Sequence, residues 1–169
     1  MPPEHSRNLA LIGMPGAGKS TVGVLLAKAM GRLFIDTDIY IQAIENRPLR
    51  AIIDEVGLEK FCRMEEEHIL CIDAVGAVIA TGGSVVYSPR LMQHFRETAT
   101  IVHLDLDLEV IRTRLGDLEA RGVVIRKDQT IDELYAERMP LYRKYADVTI
   151  SCLGKNHQQV LTDILSAVK

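Results

Sequence analysis

Short apolar runs alternate with longer amphipathic stretches along the whole chain. Asn8-Leu9-Ala10-Leu11-Ile12 is such a run, ended by Gly13, and predicts a buried strand. From Lys19 to Met30 the apolar positions 22, 25, 26, 29 and 30 recur at helical spacing, and Gly31 closes the segment. Leu33-Phe34-Ile35 predicts a second strand. Helices are expected over 38–46 and 58–74; in the latter, Phe61, Met64, Glu65, His68, Ile69 and Ile72 keep a helical period. Ala77 to Ala80 predicts a third strand, ended by Thr81-Gly82-Gly83, and Ser88-Pro89 opens a helix with proline in its first turn. Thr100 to Leu104 predicts a fourth strand, 107–116 a helix, and 117–129 a polar loop. Ile131 to Tyr145 is helical, although Pro140 could break it. Asp147 to Ser151 predicts a fifth strand and 156–168 a closing helix.

Five short apolar strands separated by helices imply a parallel sheet covered on both faces. Right-handed crossovers place every strand's C-terminal end on one side. Gly13, Asp36, Gly82 and Asp105 each follow a strand, so they gather at that edge, where open α/β sheets bind ligands.

Composition narrows the class. The 169 residues fit one domain, taken here as 1–169, and 47% hydrophobic with 25% charged residues is an ordinary globular balance. A net charge of −3 argues against a generally basic nucleic-acid surface. No apolar run approaches the roughly 18 residues of a membrane helix, and Met1 to Arg7 holds no signal-peptide apolar core. Cys62, Cys71 and Cys152 are odd in number and lack CxxC spacing, against a disulfide framework or a zinc site. The expectation is a soluble, cytoplasmic monomer acting on a small molecule, with neither nucleic acid nor membrane as partner.

Gly13-Met14-Pro15-Gly16-Ala17-Gly18-Lys19-Ser20 fits G-x-x-x-x-G-K-[ST], after a strand and opening a helix. Backbone N–H groups of Gly13, Gly16, Ala17 and Gly18 turn inward around phosphate oxygens, and the helix N-terminus adds its positive end. Lys19 reaches the β- and γ-phosphates, Ser20 offers its hydroxyl to Mg²⁺, and Thr21 follows in the same turn. No Asn-Lys-x-Asp guanine-reading motif is present. The short chain therefore favours a compact kinase of a small acceptor over a GTPase switch or motor.

Phe34-Ile35-Asp36-Thr37-Asp38 places two carboxylates at the end of the second strand. Residues i and i+2 of a strand share a face. One carboxylate can hold water on Mg²⁺ and the other can take a proton from the acceptor hydroxyl. The plainer alternative makes Asp38 the N-cap of the helix that follows. Thr81-Gly82-Gly83-Ser84 lets an acceptor approach the backbone, and Arg112, Arg114, Arg121 and Arg126 flank 117–129, which fits a mobile lid.

Together these residues resemble the shikimate kinase family from about residue 8 to 168. The likeness rests on the loop Gly13–Ser20, Phe34-x-Asp36-x-Asp38, Phe61 with Glu65, Ala80-Thr81-Gly82-Gly83, and Glu137-Arg138-x-Pro140-Leu141-Tyr142 before Ala146-Asp147. The resemblance implies a P-loop kinase: a three-layer α/β sandwich with a five-stranded parallel sheet and a mobile lid. It implies transfer of the γ-phosphoryl of ATP to a ring hydroxyl of shikimate, in aromatic amino acid biosynthesis. It further implies Asp38 as base and acceptor contact, Asp36 on Mg²⁺, Arg121 as the catalytic lid arginine with Arg126 as the alternative, and Arg112 against adenine. Gly82 and Gly83 would present backbone to the acceptor, and Arg138 would bind its carboxylate.

Three positions depart from the family pattern. Phe-Arg-x-x-Glu has Cys62 where the carboxylate-gripping arginine stands; Arg63 is one helical step, about 100°, away. The triple glycine ends in Ser84, and the lid Arg-Pro-Leu becomes Arg121-Gly122-Val123. The first two fall on the acceptor side. They leave open a kinase of another hydroxylated acid, gluconate-like, or a nucleotide-binding paralogue without turnover.

Overall fold

The computed structural model describes residues 7–115, 126 and 128–168. Strands β1 (Asn8–Ile12), β2 (Phe34–Asp36), β3 (Val78–Ala80), β4 (Ala99–Asp105) and β5 (Val148–Ser151) form one sheet in the order β2-β3-β1-β4-β5. Every pairing is parallel. The helices among the described residues are α1 (Lys19–Met30), α2 (Thr37–Glu45), α3 (Leu49–Val56), α4 (Leu58–Leu70), α5 (Pro89–Thr98), α6 (Leu108–Leu115), α7 (Ile131–Tyr145) and α8 (His157–Ala167). The five expected strands all form, each within a residue or two of its expected ends.

All five residues of β1 and all three of β3 are buried. Their runs lack polar alternation because helices cover both faces. Asn8 enters this interior with both ends of its amide bonded: Nδ2 donates to the Ala74 carbonyl at 2.8 Å, and Oδ1 accepts from the Ala77 amide at 2.8 Å. These two bonds clamp the entry to β3 beside the start of β1. From β1 the chain runs to β2 on one flank, and from β3 it runs to β4 on the other. Neighbouring strands whose connections leave in opposite directions open a crevice at their C-terminal ends. Gly13 and Thr81-Gly82-Gly83 stand at that crevice.

Three local differences from the sequence reading have physical causes. Helix α3 was not expected, yet Leu49, Ile52, Ile53 and Val56 carry i, i+3, i+4, i+7 spacing after Pro48. Leu49 and Ile52 join Ile41 and Phe61 in a small core separate from the main one. Helix α4 ends at Leu70, where the Cys71 amide turns back onto the carbonyls of His68 and Ile69. Helix α7 runs unbroken through Pro140. Pro140 and Ala136, whose carbonyl loses its donor, are both exposed, so water replaces the bond.

The turn out of β1 fixes the sheet spacing. Gly13 has φ 147°, and a Cβ there would lie 2.7 Å from the Leu104 carbonyl oxygen on β4. Backbone cannot yield as a side-chain tip does. Gly13→Ala is therefore expected to destabilise the fold by about 1–3 kcal/mol, roughly 3–10 °C in Tm for a domain of this size. A thermal melt of the folded variant within a degree of the parent would contradict this packing.

Candidate active site

The N-terminus of α1 is left open. Gly18 precedes it in the left-handed region at φ 94°, no side chain caps it, and its first turn holds no acid. Its unpaired N–H groups face a cavity of about 610 Å³ at the sheet edge. Gly16, Gly18, Lys19, Ser20 and Thr21 line this cavity. Ala17 is buried instead, its amide donating to the Met14 carbonyl at 3.1 Å to close the loop's inner turn. The Lys19 ammonium donates to the carbonyls of Gly13 at 2.8 Å and Met14 at 2.9 Å. Burial lowers it to about 8, with Asp38 and Asp36 working in the opposite direction. It remains mostly charged at neutral pH.

The two aspartates arrive differently from the strand-face expectation. Asp36 ends β2 and is itself the N-cap of α2: its Oδ1 accepts from the amides of Asp38 at 3.0 Å and Ile39 at 3.2 Å. Asp38 is thus not the cap. It stands in the first turn of α2 and projects into the cavity that Lys19 lines. Burial, with the neighbouring Asp36 carboxylate adding to it, pushes Asp38 up to about 6 against the pull of Lys19.

Gly82 and Gly83 form a backbone ridge opposite the loop. A Cβ on Gly82 would lie 2.5 Å from Glu65 Oε1 and 2.9 Å from Asp38 Oδ1. One on Gly83 would lie 2.6 Å from Arg138 Nη1. Both carboxylates and the guanidinium therefore press directly on the ridge. Arg138 is 1% exposed, and its Nε donates to the Tyr87 hydroxyl at 3.0 Å. Its guanidinium lies over the Tyr87 ring at 5.1 Å. Tyr142 donates to the Gly83 carbonyl at 2.8 Å and stacks on His103, whose ring burial pushes down to about 4 and so keeps neutral.

A second cavity of about 530 Å³ opens beside the ridge, lined by Cys62, Glu65, Ser84, Tyr87 and Arg126 among others. Arg138 lines both cavities. Ser84 donates to Glu65 Oε2 at 2.6 Å in the buried interior. Burial pushes Glu65 up to about 7, partly offset by that hydrogen bond. Half-buried Cys62 sits one turn before Glu65, and burial pushes its thiol up to about 11, so it is a neutral wall.

The structure thus gathers Gly16, Gly18, Lys19, Ser20, Thr21, Asp38, Gly82, Gly83 and Arg138 around one cavity and puts Cys62 on the adjoining one. Arg112 does not join them. It is exposed and ion-paired with Glu109 and Asp132. Arg114, two residues on, donates to the Gly16 carbonyl at 2.9 Å and lines the phosphate-loop cavity. Two residues of α6, about 200° of rotation, separate the outward face from the inward one, a signal that helical phase from Ile111 and Leu115 carried. Arg121 and the loop 117–129 lie outside the described residues, except for Arg126, Asp128 and Gln129. The Ser84–Glu65 bond and the placement of His157 against Gly18, 3.5 Å from the point its Cβ would occupy, were not visible in the motif spacing.

A phosphate cradle that faces a carboxylate across a short gap, on a five-stranded parallel sheet, is the arrangement of a small-molecule kinase with the P-loop fold. The family model described as shikimate kinase matches residues 15–169, and the chain belongs to the shikimate kinase family. It is 36% identical to the shikimate kinase of Geobacter sulfurreducens, over 99% of this chain and 93% of that one. It is 32% identical to that of Persephonella marina, over 96% and 99%. Shikimate kinase from Acinetobacter baumannii in complex with shikimate superposes with a TM-score of 0.83 at 27% identity, covering 98% of this chain and 94% of that one.

Glu65 gives the site a pH-dependent stability. Its folded value, about 7, lies above the ordinary 4.5. Between these values the native state binds more protons than the unfolded one, so stability falls as pH rises. The contribution is full below about 4.5 and lost through about 7. Glu65→Gln is expected to flatten this slope in urea melts at pH 5 and 7.5. Parallel pH dependences in parent and variant would place an ionised Glu65 in the fold.

Proposed function

We propose that this chain transfers the γ-phosphoryl group of ATP to a ring hydroxyl of shikimate, giving ADP and shikimate 3-phosphate for aromatic amino acid biosynthesis. The observation that carries the reading is the position of Asp38. It shares a cavity with Lys19 of the phosphate loop, and its Oδ1 presses on Gly82 of the acceptor ridge. An acceptor hydroxyl on that ridge meets a base on one side and the loop on the other.

The acceptor oxygen attacks the γ-phosphorus, its O–H proton passes to Asp38, and the bond from phosphorus to the ADP oxygen breaks. A carboxylate lifted to about 6 is still ionised at neutral pH and is a better proton acceptor than an exposed one. Lys19 offsets the charge that moves onto ADP, and the open N-terminus of α1 holds the phosphates. Arg138 binds the acceptor carboxylate. Arg114 stands over the loop where the nucleotide enters.

The residues present fit Mg²⁺. Ser20 offers an exposed hydroxyl at the start of α1, and Asp36 a carboxylate fixed at the end of β2. Among the described residues, no group of three or more His, Cys, Asp or Glu side chains forms a metal cluster. Few hard oxygens suit a cation that keeps its waters and shares phosphate oxygens. When bound, Mg²⁺ supplies positive charge to the polyphosphate, and Ser20 and Asp36 would hold it.

Coupled ADP detection with added shikimate tests the reading, and turnover independent of shikimate would refute it. Lys19→Ala is expected to cut turnover by about a hundredfold or more while the protein melts as a folded domain; activity within a few-fold of the parent would remove Lys19 from the chemistry. Asp38→Asn keeps the shape but accepts no proton. Its kcat should fall by roughly 10²–10⁴, with KM for ATP within a few-fold. An equal loss of ATP affinity would move Asp38 onto the metal.

A further inference from the structure

Arg138 is one cation for the acceptor carboxylate, and the opposite wall of the neighbouring cavity, at Cys62, supplies a neutral thiol. The cavity has two further arginines. Arg63 is held by Glu59, one turn back on the same helix, at 2.9 Å. Arg126 is held more loosely. Both its contacts to Glu137 are 3.4 Å, beyond the usual 2.7–3.2 Å range. Gln129 donates to the same Glu137 carboxylate at 2.9 Å, so Glu137 keeps a partner when Arg126 leaves. Glu137 also adjoins Arg138 in sequence, so the side chain that tethers Arg126 lies on the element that carries the first cation.

We propose that Arg126, ahead of α7, is the second carboxylate-binding cation of the acceptor site, on the cavity that it lines together with Cys62 and Arg138. This rests on the reading of shikimate as acceptor. It assigns Arg126 to the acceptor and not to the transferring phosphoryl group: Arg126 lines the cavity of Cys62 and Arg138 and is absent from the lining of the phosphate-loop cavity. An exposed arginine that exchanges a long surface ion pair for a charge on a bound acid gives up little.

The test compares the native protein with Arg126→Gln, Arg63→Gln and the double variant Arg126→Gln/Cys62→Arg. Each is assayed with shikimate and with its methyl ester, whose carboxyl carries no charge. Arg126 is exposed, so its replacement leaves the fold intact. Arg126→Gln is expected to raise KM for shikimate about tenfold, with kcat and KM for ATP within twofold. With the methyl ester the difference between native and variant should vanish. Arg63→Gln should behave as native, and the added arginine at 62 should recover most of the shikimate KM.

A fall in kcat with unmoved shikimate KM would place Arg126 on the phosphoryl group and overturn the proposal. So would an equal KM rise with the methyl ester, a shift caused by Arg63→Gln in its place, or no shift at all. Native turnover that ignores shikimate overturns the function reading and this one with it. Native turnover on shikimate with an unmoved KM in Arg126→Gln overturns this one alone.

Discussion

A buried ammonium sets the terms for this molecule. Lys19 is 8% exposed, at the edge where β1 runs into α1. A cation taken out of water costs several kcal/mol unless partners replace its hydration. The loop answers by bending its own carbonyls, those of Gly13 and Met14, onto the charge. That bend requires the backbone of Gly13 to pass under Leu104 of β4, which only a residue without Cβ can do. The remaining offset comes from Asp36 and Asp38 at the end of β2. In the sheet order β3 lies between β1 and β2, so the lysine and the carboxylates that offset it follow strands that are not neighbours.

Of the carboxylates that balance Lys19, Asp38 faces the cavity, and burial tunes it together with the lysine. Desolvation lowers the lysine and raises Asp38, and each partly corrects the other. Asp36 accepts two backbone amides at the start of α2. One aspartate is therefore anchored as a cap, and its neighbour two residues on is left facing the cavity. The division of labour between them is a consequence of where β2 stops and α2 begins.

The strand pattern, the loop motif and the glycines after β3 were legible because each depends on local chemistry: unbroken apolar runs, glycine spacing, a lysine at the helix start. Other features depend on what meets across the fold. Asp36 and Asp38 were assigned one shared face on the premise of a continuing strand, and the cap at Asp36 ends that strand. Arg112 and Arg114 are equivalent in composition, and helical phase alone turns Arg114 inward to Gly16 while Arg112 pairs with Glu109 and Asp132. Helix α3 carried an adequate period, but eight residues around a small separate core make a weak signal beside the 15 residues of α7. The Ser84–Glu65 bond joins positions nineteen apart, and no spacing rule anticipates it.

That bond gives the two acceptor-side departures a common logic. Cys62 puts a neutral side chain one turn from Glu65, where the family pattern has a cation. Ser84 contributes a hydroxyl where the family pattern has glycine, and it donates directly to Oε2. That bond favours the ionised carboxylate, while burial, which leaves the other oxygen without a partner, works in the opposite direction and prevails, lifting Glu65 to about 7. Near neutral pH Glu65 is thus divided between its two forms, and only the ionised one draws on the charge of Arg138, which borders both cavities. The residues at 62 and 84 act on a single electrostatic balance centred on the glycine ridge, with the Arg138 guanidinium against Gly83 at its edge.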